Sequence, residues 1–147
     1  MSAPADITLA IEDAPDPVAA TRRAVEMLEA QFPHYSWVGI YLLEGDELVL
    51  GPFVGKPSPH TRIPLGRGIC GAAATEKATI IVDDVNADPR YLACSLETKS
   101  EIVVPIMHGT TVLGEIDIDS DRLGAFGAGD RELLESVAAL LAARLAR

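Results

Sequence analysis

The chain has 147 residues, which is enough for a single domain, and 48% of them are hydrophobic. A mean hydropathy of +0.21 indicates that it can bury a core, unlike a disordered chain. Its formal net charge of −10 argues against binding to nucleic acid or to an anionic membrane surface, since both would repel it.

Location and redox state follow from what the sequence lacks. No apolar run reaches the roughly 18 residues of a membrane span, and Met1 to Asp6 shows no signal-peptide pattern, so we expect a cytoplasmic protein. Its two cysteines, Cys70 and Cys94, are too few for a disulfide framework or a four-thiolate zinc site. The three histidines show no ligand spacing, and no metal or cofactor is expected.

The first predicted element is an amphipathic helix over residues 17–31. Asp16 and Pro17 form an N-cap followed by proline at the first helical position, and Pro33 ends the helix. Trp37 to Leu43 is apolar at consecutive positions and predicts a strand buried on both faces. Glu47 to Phe53 predicts its hairpin partner.

The middle of the chain is less regular. Residues 55–64 contain three prolines and are predicted to form a loop, followed by a short helix over Ile69–Glu76 and a short strand over Thr79–Val82. Residues 83–98 show no clean period and predict a long connection, a kind of segment that is often functional.

A hairpin and a helix complete the pattern. Glu101–Ile106 and Thr111–Asp119 predict two strands joined by a turn at His108-Gly109-Thr110, and Asp130–Arg147 predicts a terminal amphipathic helix. Helices thus flank hairpin-connected strands. This order predicts an α+β fold around a mainly antiparallel sheet.

Three carboxylates share one face of the second hairpin. A turn centred on Gly109 would place Glu101 opposite Asp117, with Asp119 on the same face. Like charges directly opposite each other destabilise a ladder, so the cluster needs open water, a metal or a cationic ligand. Magnesium and a substrate ammonium both suit carboxylates, and the spacing does not decide between them. A two-residue error in register would preserve the cluster, whereas a one-residue slip would break it.

Two further sets of residues are candidates for a site. Cys94 lies on the long connection, seven residues before Glu101, where a thiol is more accessible than in a helix; a bystander cysteine is the alternative. Trp37 and Tyr41 share one strand face, either as core or as the apolar wall of a small pocket.

A series of local strings resembles one family, the free methionine-(R)-sulfoxide reductases, which are stand-alone GAF domains. The likeness runs from about residue 17 to the C-terminus. The strings are Ser36-Trp37-Val38-Gly39-Ile40-Tyr41-Leu42-Leu43, Leu50-Gly51-Pro52-Phe53, Gly55-Lys56-Pro57, Arg62-Ile63-Pro64, Gly66-Arg67-Gly68-Ile69-Cys70-Gly71, Asp83-Asp84-Val85, Ala93-Cys94, Ser100-Glu101-Ile102-Val103-Val104-Pro105 and Asp117-Ile118-Asp119-Ser120.

This resemblance implies an architecture. Residues 16–147 would form a single GAF domain, with residues 1–15 as an N-terminal extension. The terminal helices would pack on one face of the sheet, and loops would form a small pocket on the other.

The resemblance also implies a chemistry. Cys94 would attack the sulfoxide sulfur and become a sulfenic acid, which a second thiol would convert to a disulfide for a thioredoxin-type reductant to reopen. The substrate-binding residues would be acidic (Glu101, Asp117 and Asp119) and aromatic (Trp37 and Tyr41). One carboxylic acid would donate a proton to the sulfoxide oxygen.

One departure from the family pattern concerns the resolving thiol. The family usually carries a further cysteine after the Gly-Lys-Pro segment, where this chain reads Ser58-Pro59-His60-Thr61. Cys70 is then the favoured resolving thiol; an external thiol, or binding without turnover, are the alternatives. A non-catalytic small-molecule sensor and a module that forms a homodimer through its terminal helices are the competing functions.

Overall fold

The computed structural model describes residues 3–92 and 97–146. Its helices are α1 (Ala5–Glu12), α2 (Pro17–Gln31), α3 (Gly68–Glu76) and α4 (Ala128–Leu145). Its strands are β1 (Trp37–Glu44), β2 (Glu47–Val54), β3 (Arg62–Pro64), β4 (Ile80–Val82), β5 (Ser100–His108) and β6 (Thr111–Ser120). Within the described ranges, these strands form one antiparallel sheet in the order β3-β2-β1-β6-β5-β4. The predicted α+β class is therefore confirmed.

The helix predicted over 17–31 is confirmed. Asp16 caps α2, since its carboxylate accepts a hydrogen bond from the Ala19 amide at 2.8 Å, and Pro17 occupies the first turn. The buried positions lie on one stripe: Ala20, Thr21, Ala24, Val25 and Leu28. Val18 is an apolar residue outside this stripe, and it is 64% exposed.

Besides a single 3₁₀ turn over Val85–Ala87, two regular segments were not predicted. Residues 62–64 lie within the expected loop but form β3, which pairs with β2 through Leu48 and Ile63. Helix α1 precedes the first predicted element, and its Ile7 and Ile11 are fully buried in the core. Arg144 of α4 donates hydrogen bonds to the carbonyls of Ile11, Glu12 and Ala14 at 2.6–3.1 Å. These bonds satisfy carbonyl groups at and beyond the end of α1 and hold it against α4.

The sheet has two buried faces. We call the first the helix face, because it packs against α1, α2 and α4. The second, the site face, is covered by α3 and by Tyr91 and Leu92, and Ile63 of β3 belongs to the same buried cluster. Successive residues of a strand point to opposite faces, so β1, β5 and β6 supply both. Among the residues described, no helix has the length and apolar character needed to cross a bilayer.

Candidate active site

Three strands bring the predicted site residues together on the site face. Trp37 of β1 pairs with Asp119 of β6, and four residues along β1, Tyr41 pairs with Glu115. Gly39, between them, pairs with Asp117. The alternating pattern of β6 therefore places a carboxyl on three successive rows of this face, all of them buried.

The predicted register of the second hairpin is wrong by two residues. Glu101 pairs with Asp119, and Asp117 pairs with Val103. Two irregularities cause the difference. His108 pairs with Thr111, whereas a turn centred on Gly109 would pair His108 with Thr110, so the turn shifts the register by one residue. A bulge near Ile106 places one extra residue on β6 and shifts the register by one more. Two single shifts preserve the parity of the strand, and the carboxylates remain on one face.

Glu101 joins the two aspartates. Its carboxyl lies within hydrogen-bonding contact of both Asp117 and Asp119. Such contact between two carboxyls requires a shared proton, because an ionised carboxylate can only accept. One oxygen of Asp117 and one of Asp119 are buried without a hydrogen-bond partner among the residues described. The cluster thus holds at least one proton and retains acceptor atoms that nothing in the described protein satisfies.

The pKa values of the three carboxyls on β6 are all raised. Burial raises the pKa of Asp117, and burial followed by the charge of Asp117 raises the pKa of Asp119 well above its usual range. The same two causes raise the pKa of Glu115. Among the described residues, the charged groups that raise these pKa values are all carboxyls. Their proximity in a dry environment favours carboxylic acids at a pH where exposed carboxyls are ionised.

Cys70 lies on α3 directly over this cluster. It is 5% exposed, and its sulfur and one carboxylate oxygen each from Glu101 and Asp117 lie within 4.8 Å of one another. Burial, followed by the charges of Asp117, Glu115 and Glu101, raises the pKa of the Cys70 thiol well above its usual range. The thiol is therefore held protonated. These three groups are close enough to share a metal ion.

Trp37 and Asp119 line a cavity of about 100 Å³, which we call the Trp37 cavity. The indole Nε1–H donates a hydrogen bond to the Lys56 carbonyl at 2.9 Å. At the rim, Lys56 forms a 2.7 Å ion pair with Glu97, and both side chains are exposed. The remaining lining residues are Ser36, Pro57, Ser58, Thr98 and Asp121. An apolar ring and a buried carboxyl thus border the same small space.

Tyr41 lines a second cavity, of about 20 Å³, together with Cys70, Glu101 and Asp117. Its hydroxyl donates a hydrogen bond to the His60 carbonyl at 2.8 Å. Trp37 and Tyr41 share one strand face, as predicted, but they border different cavities. The cluster of Glu101, Asp117 and Asp119 extends from one cavity to the other.

The remaining predicted site residue, Cys94, lies outside the described residues. Its described neighbours in the chain border the two cavities: Leu92 lines the cavity beside Cys70, and Glu97 lines the Trp37 cavity.

Comparison with known proteins decides the family. The GAF domain model matches residues 16–145. Free methionine-R-sulfoxide reductase from Escherichia coli is 39% identical over 115 residues, covering 78% of this chain and 69% of the relative. The chain belongs to this family of GAF domains.

Two solved structures agree with this assignment. Free methionine-R-sulfoxide reductase from Neisseria meningitidis, in complex with its substrate, has a TM-score of 0.90 and 39% identity over 95% of this chain and 84% of that chain. The type II free methionine-R-sulfoxide reductase from Thermoplasma acidophilum has a TM-score of 0.85 and 40% identity over 88% of this chain and 92% of that chain. The resemblance found in the sequence and the GAF-like fold are both confirmed.

The sequence analysis missed one member of the buried acidic cluster. Glu115 is fully buried, and neither carboxylate oxygen accepts a hydrogen bond from an N–H or O–H group of the described protein. The signal was present, because Glu115, Asp117 and Asp119 alternate along one strand and must share a face. The predicted cluster was built on the residue opposite Glu101 and its neighbour at Asp119, and Glu115 lies two residues from Asp117 in the other direction.

Proposed function

We propose that this protein reduces free L-methionine-(R)-sulfoxide to L-methionine. The observation that carries the proposal is the buried cluster of Glu101, Asp117 and Asp119 beside the Trp37 cavity, in a chain of this family. Removing a carboxyl from water costs free energy, and three buried on one face of a sheet favour a ligand whose contacts offset that cost. The substrate named for the relatives has a group that would do so.

Recognition would begin with the substrate's α-ammonium. The unpartnered oxygens of Asp117 and Asp119 are acceptors for it, and a positive charge would reduce the repulsion between the two carboxyls. A methionine sulfoxide within a peptide lacks this ammonium. The cluster therefore favours the free amino acid, while the Trp37 indole, which borders the same cavity as Asp119, supplies apolar surface for the methylsulfinyl end.

The same cluster would supply the proton that sulfoxide reduction needs. Its carboxyls share a proton, and the raised pKa values of Asp117 and Asp119 favour an acid being available at neutral pH. The Cys94 thiolate forms a bond to the sulfoxide sulfur as a carboxylic acid of the cluster protonates the sulfoxide oxygen. The bond from the substrate sulfur to this hydroxyl then breaks, the hydroxyl moves to the Cys94 sulfur, and the bond between the two sulfurs breaks. The products are methionine, with reduced sulfur, and the sulfenic acid of Cys94, with oxidised sulfur.

Cys70 would complete the cycle as the resolving thiol. Its sulfur displaces the hydroxyl of the Cys94 sulfenic acid, and its proton leaves with that hydroxyl as water, so that a disulfide between Cys70 and Cys94 forms. An external dithiol of the thioredoxin type then reduces the disulfide to two thiols. The protonated state of Cys70 provides the proton that this step consumes but slows its attack.

Methionine release tests the proposal directly. Free L-methionine-(R)-sulfoxide is incubated with the protein and a dithiol, and methionine is measured by chromatography. We expect turnover by the unaltered protein and none by Cys94→Ser. Cys70→Ser is the matched control: it should release the first equivalent of methionine but lose turnover with a thioredoxin-type reductant. Full activity of Cys94→Ser would overturn the catalytic assignment, and binding without methionine release would leave a small-molecule sensor.

The disulfide has its own measurement. One equivalent of substrate, added without reductant, should lower the protein mass by two hydrogen atoms, and peptide mapping should join Cys70 to Cys94. A mass increase by one oxygen atom at Cys94, without a crosslink, would show that Cys70 does not resolve the sulfenic acid and that an external thiol does.

A further inference from the structure

The Trp37 indole occupies the space where Gly39 has no side chain. A Cβ atom added at Gly39 would lie 2.3 Å from the indole Cη2 and 2.6 Å from Cζ3, far inside van der Waals contact. Gly39 does not have a positive φ, so its backbone is one that other residues adopt. The need for glycine here comes from the indole and not from the backbone.

Other contacts confine the indole on its remaining sides. A Cβ at Gly55 would lie 2.6 Å from the indole Cδ1, and Phe53 stacks on the ring with centroids 5.7 Å apart and planes 19° apart. The hydrogen bond from Nε1 to the Lys56 carbonyl fixes the five-membered ring. The ring borders the Trp37 cavity, where Asp119 also lies.

We propose that Gly39 is a positioning residue that sets the size of the substrate cavity by seating the Trp37 indole against the sheet. A side chain at position 39 would lift the six-membered ring off the sheet toward the space that the substrate's side chain would fill. The proposal deepens the proposed function, because it names a determinant of selectivity for a small sulfoxide at that site. It requires no reacting group at position 39, since Gly39 acts through Trp37.

The test is Gly39→Ala, with Trp37 as its own reporter. Trp37 is the single tryptophan of the chain, so intrinsic fluorescence reports on it alone. We expect a shifted emission maximum and changed acrylamide quenching. The KM for free methionine sulfoxide should rise about tenfold, because the displaced indole would take up space that the substrate's side chain needs. The kcat should change less, because the carboxyls and cysteines are unaltered. Gly127→Ala is the matched control, since a Cβ there meets no atom within 4 Å; its fluorescence and kinetics should match those of the unaltered protein.

A second background separates action through Trp37 from general damage. Phenylalanine at position 37 lacks the outer atoms that a Cβ at Gly39 would strike. Gly39→Ala should therefore raise KM much less in a Trp37→Phe protein than in the unaltered one, giving a non-additive double-mutant cycle. If Gly39→Ala alone fails to fold, folding of the double variant would show the same coupling.

The outcomes distinguish this proposal from the proposed function. Unchanged fluorescence and KM in Gly39→Ala, or equal KM effects in both backgrounds, would overturn the positioning role. Failure of both the single and double variants to fold would also overturn it, because the substitution would then act through something other than Trp37. Absence of turnover in the unaltered protein would overturn the proposed function, whereas the fluorescence result needs no activity.

Discussion

The helix face and the site face are both buried, but the groups they bury are opposite in character. Ile102, Ile116 and Ile118 of the helix face are fully buried in hydrocarbon. Their immediate neighbours Asp117 and Asp119 are buried to almost the same extent on the site face. Burial alone therefore does not separate the core from a site. Buried acceptors that the described protein leaves unsatisfied do so, because their cost requires an explanation.

The largest expected effect on stability is at the helix face. Ile118→Ala should lower the free energy of unfolding by about 3 kcal/mol, since it removes buried methyl groups and leaves a cavity between β6 and the helices. Chemical denaturation would measure this loss. Leu9→Ala is the control, because Leu9 is 59% exposed and should change stability little. A loss below about 1 kcal/mol for Ile118→Ala would contradict the assignment of this face as the stabilising core.

Asp119→Asn, one residue away, should act on activity. We expect turnover of free methionine sulfoxide to fall about a hundredfold, because an amide cannot share a proton with Glu101 or pair with an ammonium as an ionised carboxylate does. The free energy of unfolding should change less than in Ile118→Ala, since a buried acid is replaced by a neutral group of similar size. The exposed Asp46→Asn is the control for charge. Retained turnover in Asp119→Asn would remove Asp119 from the site.

The smallest expected effect concerns pH and Glu115. Its pKa is raised in the folded state, so the folded protein binds its proton more tightly than the unfolded chain. That contribution to stability is fully present below the usual pKa of 4.5 and is lost as pH rises through the folded value.

Glu115→Gln should reduce the loss of stability that occurs as the pH rises, because glutamine has no proton to lose. The Tm of the variant should exceed that of the unaltered protein by about 3 °C at pH 8, with a smaller difference near pH 4.5. Differential scanning calorimetry across this range would measure it, with the exposed Glu26→Gln as control. A variant whose Tm falls in parallel with that of the unaltered protein would show that Glu115 is ionised in the fold.

Most of the helices and strands follow from local sequence signals, and the differences between the predicted and the observed elements have physical causes. Helix α2 is marked by Asp16 and Pro17, which act through their own backbone neighbours. Strand β3 has no such mark, because Ile63 becomes a strand residue only by pairing with Leu48. Helix α1 is likewise secured by Arg144, which is distant in sequence. Signals that depend on distant partners are not readable from a local pattern.

The sequence by itself determined which residues share a face, because alternation along a strand is a property of the extended backbone. It thereby put Glu101, Asp117 and Asp119 together even though the expected pairing was two residues off. Only the tertiary structure decided that Cys70 lies over these carboxyls and that Trp37 rests on Gly39. Those contacts depend on how α3 and the indole pack against the sheet, and that packing involves side chains from several elements, which alternation along one strand does not determine.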